Sequence, residues 1–450
     1  MADGEAKEGE LIDPESVEVI RQGKEIILPV GMSYDNGIKW LKRRRDEDAQ
    51  EVSIVRTFPF FPSEGALALT KVMAERYGWV KAKVIPMMFG SRPPELIPVE
   101  TRYGHTEQVP FGRFEIPNVN GYVQCGVKQR NALPCFTMAA LTSQAHRHEV
   151  TQLFDHVERV GLAETPYRGA AIRLPYGVES EEMEDYFPKF IDIQSADVNQ
   201  MVFSSGIENL LMDNVFGPVM HTEQFRSRKI PLKMGVLLEG DYGCGKTLVA
   251  NALAKVCTEN GWTYVLCEDP ADLARCVAVA RRFEPAVVFC EDIDREVSGQ
   301  RRTKGMDKIL NTIDGIESKG TEIMVVLTTN HVDELTPAMR RPGRLDVVVP
   351  ITAPDAEAVG RMLTLYAGDE MDTETNLGEV SELLSGRTPA VIREVVERSK
   401  RSAIVMADDD GKPIRLTGDA MVRAAQGMQR HLELLEPSEP DALEPLREIA

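Results

Sequence analysis

Eight residues, Gly240, Asp241, Tyr242, Gly243, Cys244, Gly245, Lys246 and Thr247, constrain the fold more than anything else in the chain. They follow G-x-x-x-x-G-K-[ST] and stand between the apolar run Val236, Leu237, Leu238 and a stretch rich in Ala and Leu that opens with Leu248. That succession is a buried strand, a glycine turn and a helix. The glycines let the backbone curl until its N–H groups face an anion, and the following helix adds the positive end of its dipole. Lys246 is expected to reach the β- and γ-phosphates of ATP, and the Thr247 hydroxyl to ligate magnesium. Residues 240–248, from Gly240 to Leu248, form the expected nucleotide contact.

A second apolar run, Ala286, Val287, Val288, Phe289 and Cys290, ends in Glu291, Asp292, Ile293 and Asp294. Carboxylates at the carboxyl end of a central parallel strand stand over the crevice where such sheets bind ligands, so these are placed for magnesium and water. A third run, 323–329, ends in Asn330, whose amide is positioned to hold an attacking water or the γ-phosphate.

Between 187 and 355 apolar strands at 234–238, 263–266, 286–290, 323–327 and 345–350 alternate with helical stretches at 207–216, 246 onward, 271–282 and 306–313. Continuous apolar strands separated by helices predict a parallel sheet covered on both faces, an α/β fold. The expected organisation is an acidic tail over 1–28, an α+β domain over 29–186, the nucleotide-binding domain over 187–355, a helical lid over 356–430 and a second acidic tail over 431–450. The charged stretch 179–185 reads as the linker between the first two domains.

Several further segments, in order, resemble the AAA family of P-loop ATPases. Residues 207–247 are similar to that family's approach to its phosphate loop. Ile309, Leu310, Asn311, Thr312, Ile313, Asp314, Gly315 and Ile316 are similar to its conserved helix end. Thr328, Thr329, Asn330 and His331, with the stretch 335–346, resemble its second region of homology. The resemblance covers about residues 200–405, leaves the N-terminal domain aside, and implies a P-loop AAA+ core with a small lid. It further implies that Arg341 and Arg344 are arginine fingers inserted into the ATP site of the adjacent subunit. An isolated subunit would then be nearly inactive, and the working form would be a ring, six subunits by resemblance.

Three departures qualify this resemblance. The family usually carries Asp then Glu after its second strand, whereas this chain has Glu291 then Asp292. Position along the strand assigns Glu291 to the magnesium shell and Asp292 to the water. The shorter Asp292 implies slow hydrolysis, since misplacements near 1 Å can cost ~100-fold. The reversed pair and the TTNH segment are nearest to the branch containing the mitochondrial AAA translocase of the Rieske protein, although this chain lacks that protein's membrane helix. The second departure lies at Cys267, Glu268, Asp269, Pro270, Ala271, Asp272 and Leu273, which run into a short helix without the aromatic pore loop of protein-threading members. In the third, Gly386, Arg387, Thr388, Pro389, Ala390 and Val391 occupy the place of the lid's Gly-Ala-Asp motif, with Arg387 or Arg393 as substitutes.

The net charge of −19 opposes broad binding to a phosphate backbone. Seven cysteines without a CxxC pair indicate reduced, buried thiols rather than a disulfide framework or a zinc site. The basic cluster Lys39 to Arg45 runs into Asp46, Glu47 and Asp48, as in a solvated helix with internal charge pairs. No apolar run reaches the ~18 residues of a membrane span, which leads to a cytoplasmic location. The leading expectation is an ATP-driven ring that remodels proteins, with the N-terminal domain recognising the client. Two readings stay open beside it: a DNA loader or translocase using Arg301, Arg302 and Lys304 of loop 295–305, and an ATP-gated scaffold that hydrolyses slowly.

Overall fold

Continuous burial dictates the architecture of the second half: every residue of Ala286–Cys290 and of Ile323–Thr329 is buried, so both strands are covered on both faces. The structure is a computed structural model that describes residues 20–22, 25–27, 32–78, 82–83, 85–87, 90–92, 95–130, 133–174, 187–194, 200–294, 312, 320–331, 345–372, 374–406 and 414–433. The chain divides into two units, Met1–Val99 with Gln108–Thr165, and Glu100–Glu107 with Pro166–Ala450.

The first unit is α+β. Its five-stranded antiparallel sheet comprises β1 (Glu51–Thr57), β2 (Ala82–Lys83), β3 (Arg113–Phe114), β4 (Gly121–Arg130) and β5 (Leu133–Ser143), in the order β1-β5-β4-β3-β2. Helices α1 (Tyr34–Asp48), α2 (Pro62–Tyr77) and α3 (Arg147–Ala163) accompany it. Phe58, Phe60, Phe136 and Phe154 are fully buried, with the Phe58 and Phe60 rings stacked 5.2 Å apart. Such pairs contribute about 0.5–1.5 kcal/mol each beyond area burial. On α1 the basic cluster is paired along the helix, Arg43 with Glu47 at 2.8 Å and Arg44 with Asp48 at 3.8 Å.

The second unit holds a seven-stranded sheet: β6 (Ala171–Arg173), β7 (Lys189–Phe190), β8 (Met234–Glu239), β9 (Thr263–Cys267), β10 (Ala286–Cys290), β11 (Ile323–Thr329) and β12 (Val347–Pro350). The spatial order is β7-β6-β9-β10-β11-β8-β12. Every pairing is parallel except that of β6 with β7 at the edge. The sequence boundary at 186/187 falls about twenty residues after the structural division at Pro166. The reason is register: Ala171, Ile172 and Arg173 pair with Tyr264, Val265 and Leu266, so this short run belongs to the nucleotide sheet. The expected linker 179–185 and loop 295–305 lie outside the described residues, as do the expected acidic tails 1–28 and 431–450 apart from 431–433 and the antiparallel pair Ile20–Gln22 and Glu25–Ile27.

Helices α4 (Ser205–Leu211), α5 (Lys246–Glu259) and α6 (Leu273–Ala280) flank the sheet. The helix expected over 207–216 is α4 continued by a wider turn of π type over Met212–Phe216. The stretch expected as one helix over 271–282 begins with a 3₁₀ turn, Pro270–Asp272, because the Asp269 carboxylate accepts the Ala271 N–H at 2.9 Å before α6 starts. Beyond the sheet, α7 (Ala356–Ala367), α8 (Gly378–Leu384), α9 (Pro389–Met406) and α10 (Gly418–Glu433) enclose a core of their own around Val359, Leu363, Val380, Ile392, Val396 and Met421. No described helix is long and apolar enough to cross a membrane.

Candidate nucleotide site

Strand β8 ends at Glu239, and Gly240 donates its N–H to the Thr329 carbonyl at 3.2 Å, so the loop begins between the ends of β11 and β12. Gly240 has φ +156°, and a Cβ there would stand 2.1 Å from the Ile351 carbonyl oxygen. Gly245 caps α5 at φ +110°, a left-handed conformation open to glycine. No side chain caps α5, so the first-turn amides stay available at the loop. The helix is held by the buried faces of Val249, Ala250, Leu253 and Val256, spaced three and four apart. Tyr242 projects from the loop at 70% exposure, with the Lys246 ammonium 5.9 Å from its ring centre.

Lys246 is buried, 9% exposed, and its Nζ donates to the carbonyls of Gly240 and Asp241 and, at 2.7 Å, to Asn330 Oδ1. Burial holds the ammonium below the ordinary lysine value, and the charges of Cys244, Asp292, Asp294 and Asp241 partly offset that. A triphosphate beside Lys246 raises its value again, so ATP binding takes up a proton wherever the free protein has lost one. ATP affinity is therefore expected to be full while Lys246 stays protonated in the free protein, and to fall as alkaline pH rises through that depressed value. The fall stops above the bound-state value. Calorimetric titrations across alkaline pH, in buffers of different ionisation enthalpy, measure both the fall and the proton uptake. A Lys246→Ala protein should lack this limb.

The strand-end carboxylates are arranged by an abrupt turn. Asp292 has φ +46°, a left-handed conformation that Asp tolerates better than most residues. Its N–H donates to Thr328 Oγ1 at 2.9 Å, and the Ile293 N–H donates to the Thr328 carbonyl at 3.0 Å. The turn brings two carboxylates onto one amide: Asn330 Nδ2 donates to Asp292 Oδ1 at 3.3 Å and to Asp294 Oδ2 at 3.1 Å. Asp294 also accepts the Asn330 N–H at 2.9 Å and the Thr329 hydroxyl. Lys246, Asn330, Asp292 and Asp294 thus form one continuous polar chain. Strict alternation carries only to Glu291, which continues the face of Val287 and Phe289, residues of the core shared with α5. Among the described residues no group of three or more His, Cys, Asp or Glu side chains could hold a metal ion by itself. Magnesium at Thr247 and Glu291 would accordingly draw its remaining ligands from phosphate and water, as that ion usually does.

Sequence reasoning missed two participants, Thr328 and Phe203, and gave a third, Asp294, no role of its own. Asp294 was visible only as part of an acidic run. Thr328 holds the Asp292 turn, which strand alternation did not foretell. Phe203, over forty positions before the loop's lysine, is packed so that a Cβ on Gly245 would meet its ring at 3.1 Å. Nothing in the local pattern at 203 signals that contact. Of the lid residues singled out earlier, Arg393 lies over the Tyr366 ring at 4.8 Å within the lid. Thr388 comes close to the loop, its Cβ 3.9 Å from where a Gly243 Cβ would be. Arg341 and Arg344, the expected fingers, lie outside the described residues, as does most of 309–316. All seven cysteines are free and buried.

Residues 236–353 match the family described as "ATPase family associated with various cellular activities (AAA)". The chain is 26% identical over 243 residues to the cell division cycle protein 48 homolog of Archaeoglobus fulgidus, covering 50% of this chain and 33% of that protein. It is 29% identical over 290 residues to an AAA ATPase forming ring-shaped complexes from Corynebacterium glutamicum, covering 52% and 54%. With the 26S proteasome regulatory subunit 8 homolog of Schizosaccharomyces pombe it shares 31% over 197 residues, covering 40% and 49%. The alignments thus span about half the length of these relatives or less. Residues 236–353 are an AAA ATPase domain. The finer likeness to the Rieske branch receives no support from these relatives.

Proposed function

From an AAA domain with this polar chain at its phosphate loop, we propose that the protein binds and hydrolyses ATP as a subunit of a self-assembled ring that remodels proteins or protein complexes. The observation that carries the reading is the link from Lys246 through Asn330 to Asp292 and Asp294, which ties the phosphate-binding lysine to the groups that would handle water. In this reading the amides of residues 240–247 and Lys246 hold the phosphates. Thr247 and Glu291 hold a magnesium ion, which when bound neutralises phosphate charge. Asp292 takes the proton of the attacking water, and Asn330 orients that water. Arg341 and Arg344 of a neighbouring copy supply charge at the transferred phosphoryl group. The N-terminal α+β unit is the candidate for client recognition, and six copies the candidate ring.

Relatives named for ring-shaped complexes and for the proteasome favour protein as the client class. So does the acidity of the chain, with a net charge of −19, over a DNA motor. Seven buried free thiols fit a reducing cytoplasmic setting. Lys246→Ala should weaken ATP binding by about 100-fold or more, because it removes several charge-assisted hydrogen bonds. Equilibrium binding of a fluorescent ATP analogue measures this, and undiminished affinity would overturn the proposal. DNA-stimulated, salt-sensitive hydrolysis would replace the protein-remodelling reading with the nucleic-acid one.

A further inference from the structure

Residues 201–204 alternate between two cores. Val202 is buried in the lid core with Ala358, Val359 and Met362, whereas Phe203 is buried in the sheet core. The Phe203 ring lies against Gly245 of the phosphate loop, where a Cβ would meet its Cε1 at 3.1 Å and its Cζ at 3.2 Å. Both backbone polar groups of Phe203 are taken by side chains. Its N–H donates to Glu208 Oε1 at 3.0 Å, and its carbonyl accepts from Arg361 Nη2. Arg361, on α7 of the lid, also grips Glu208 through Nη1, at 2.9 Å to Oε1 and 3.1 Å to Oε2. One residue further on, Ser204 Oγ accepts the Asp355 N–H at 3.1 Å, while the Asp355 carboxylate caps α7 by accepting the Ala358 N–H at 2.8 Å.

We infer that residues 201–204 are the seam through which the phosphate loop controls the lid, with Arg361 and Glu208 as positioning residues that act through Phe203. The inference rests on the nucleotide reading above and adds a route by which occupancy of that site is transmitted. The Phe203 ring fills the space that a Cβ on Gly245 would need, so a shift of the loop toward it must displace the ring. With the peptide on each side of Phe203 held by a side chain, the residue cannot turn in place, so the displacement passes to Arg361 and to α7. The planar guanidinium is suited to the task because one fork spans the carboxylate and the carbonyl together, which an ammonium does not reproduce. Coupling of this kind needs a contiguous element that both sites bias, and the seam is one. Arg361 and Glu208 are partly exposed, at 41% and 34%, so replacing them perturbs the link without opening either core.

Amide hydrogen exchange over Ala356–Ala367, with and without saturating magnesium ATP, tests the seam in the full chain. Wild-type protein is expected to show at least about tenfold slower exchange there with nucleotide, and Arg361→Gln less than about threefold, at an ATP concentration that saturates both. Glu208→Gln should match Arg361→Gln, and Arg361→Lys should fall between. The double variant should lose nothing further, since either change breaks the same clamp. Full tenfold protection in Arg361→Gln, or additive losses in the double variant, would overturn the coupling while leaving ATP binding standing. Wild-type protein without measurable ATP binding would instead remove the nucleotide reading, and this inference with it.

Discussion

Mixing two inactive variants should restore ATP hydrolysis. Arg344→Ala alone is expected to lower turnover by on the order of 10³ to 10⁵, the range associated with a guanidinium supplied in trans to a transferring phosphoryl group. Asp292→Asn alone should also be nearly inactive, for a different reason. In a ring of head-to-tail contacts, each site combines the carboxylates of one subunit with the arginines of the next. A site formed by an Arg344→Ala subunit and an Asp292→Asn neighbour has an intact Asp292 on one side and an intact Arg344 on the other. Random mixing of equal amounts places such pairs at about one contact in four, so mixed rings should recover up to about a quarter of wild-type turnover. Steady-state phosphate release from the mixture measures this, with Arg341→Ala as a second finger variant. No recovery would mean that the arginines act within their own subunit or outside catalysis.

The second large effect is that of Asp292→Asn itself. Loss of a general base costs typically 10²–10⁴ in turnover, whereas ATP affinity should stay within about threefold because the phosphate loop and Lys246 are untouched. The substitution is a clean probe of chemistry for a conformational reason. Position 292 has φ +46°, and Asn occupies that region as readily as Asp. The backbone bond from residue 292 to Thr328 Oγ1 does not depend on the side chain, so the turn should persist. Single-turnover hydrolysis beside ATP affinity separates the two quantities. Unchanged turnover would shift the role of base to Glu291 or Asp294. Asp294 is the more entangled of these, because it also accepts the Asn330 N–H and the Thr329 hydroxyl.

The outcome at Asp292 shows where sequence reasoning stops. Strand periodicity puts Val287 and Phe289 on one face, and both lie in the core shared with α5. Alternation stops at Asp292, whose backbone is left-handed. A left-handed residue is a local backbone decision made by the hydroxyl and carbonyl of Thr328, thirty-six positions away, and no pattern within 286–294 encodes that partner. The domain boundary shifted for a comparable reason. Three residues, Ala171 to Arg173, are too few to register as a strand in the sequence, yet pairing with β9 makes them one. The α6 region adds a smaller case, in which the carboxylate of Asp269 turned the start of an expected helix into a 3₁₀ turn.

What the sequence determined by itself was the glycine-rich turn with its flanking strand and helix, the parallel α/β character and the helices after the sheet. These are written in short-range terms: glycine and lysine at fixed spacing, continuous apolar runs of strand length, and three-and-four periodicity. Tertiary structure alone decided that Lys246, Asn330, Asp292 and Asp294 form one chain. It alone decided that Phe203 is pinned between Gly245 and Arg361. Those contacts join segments tens to more than a hundred residues apart, and their geometry follows from strand order and side-chain packing, which local propensity does not carry.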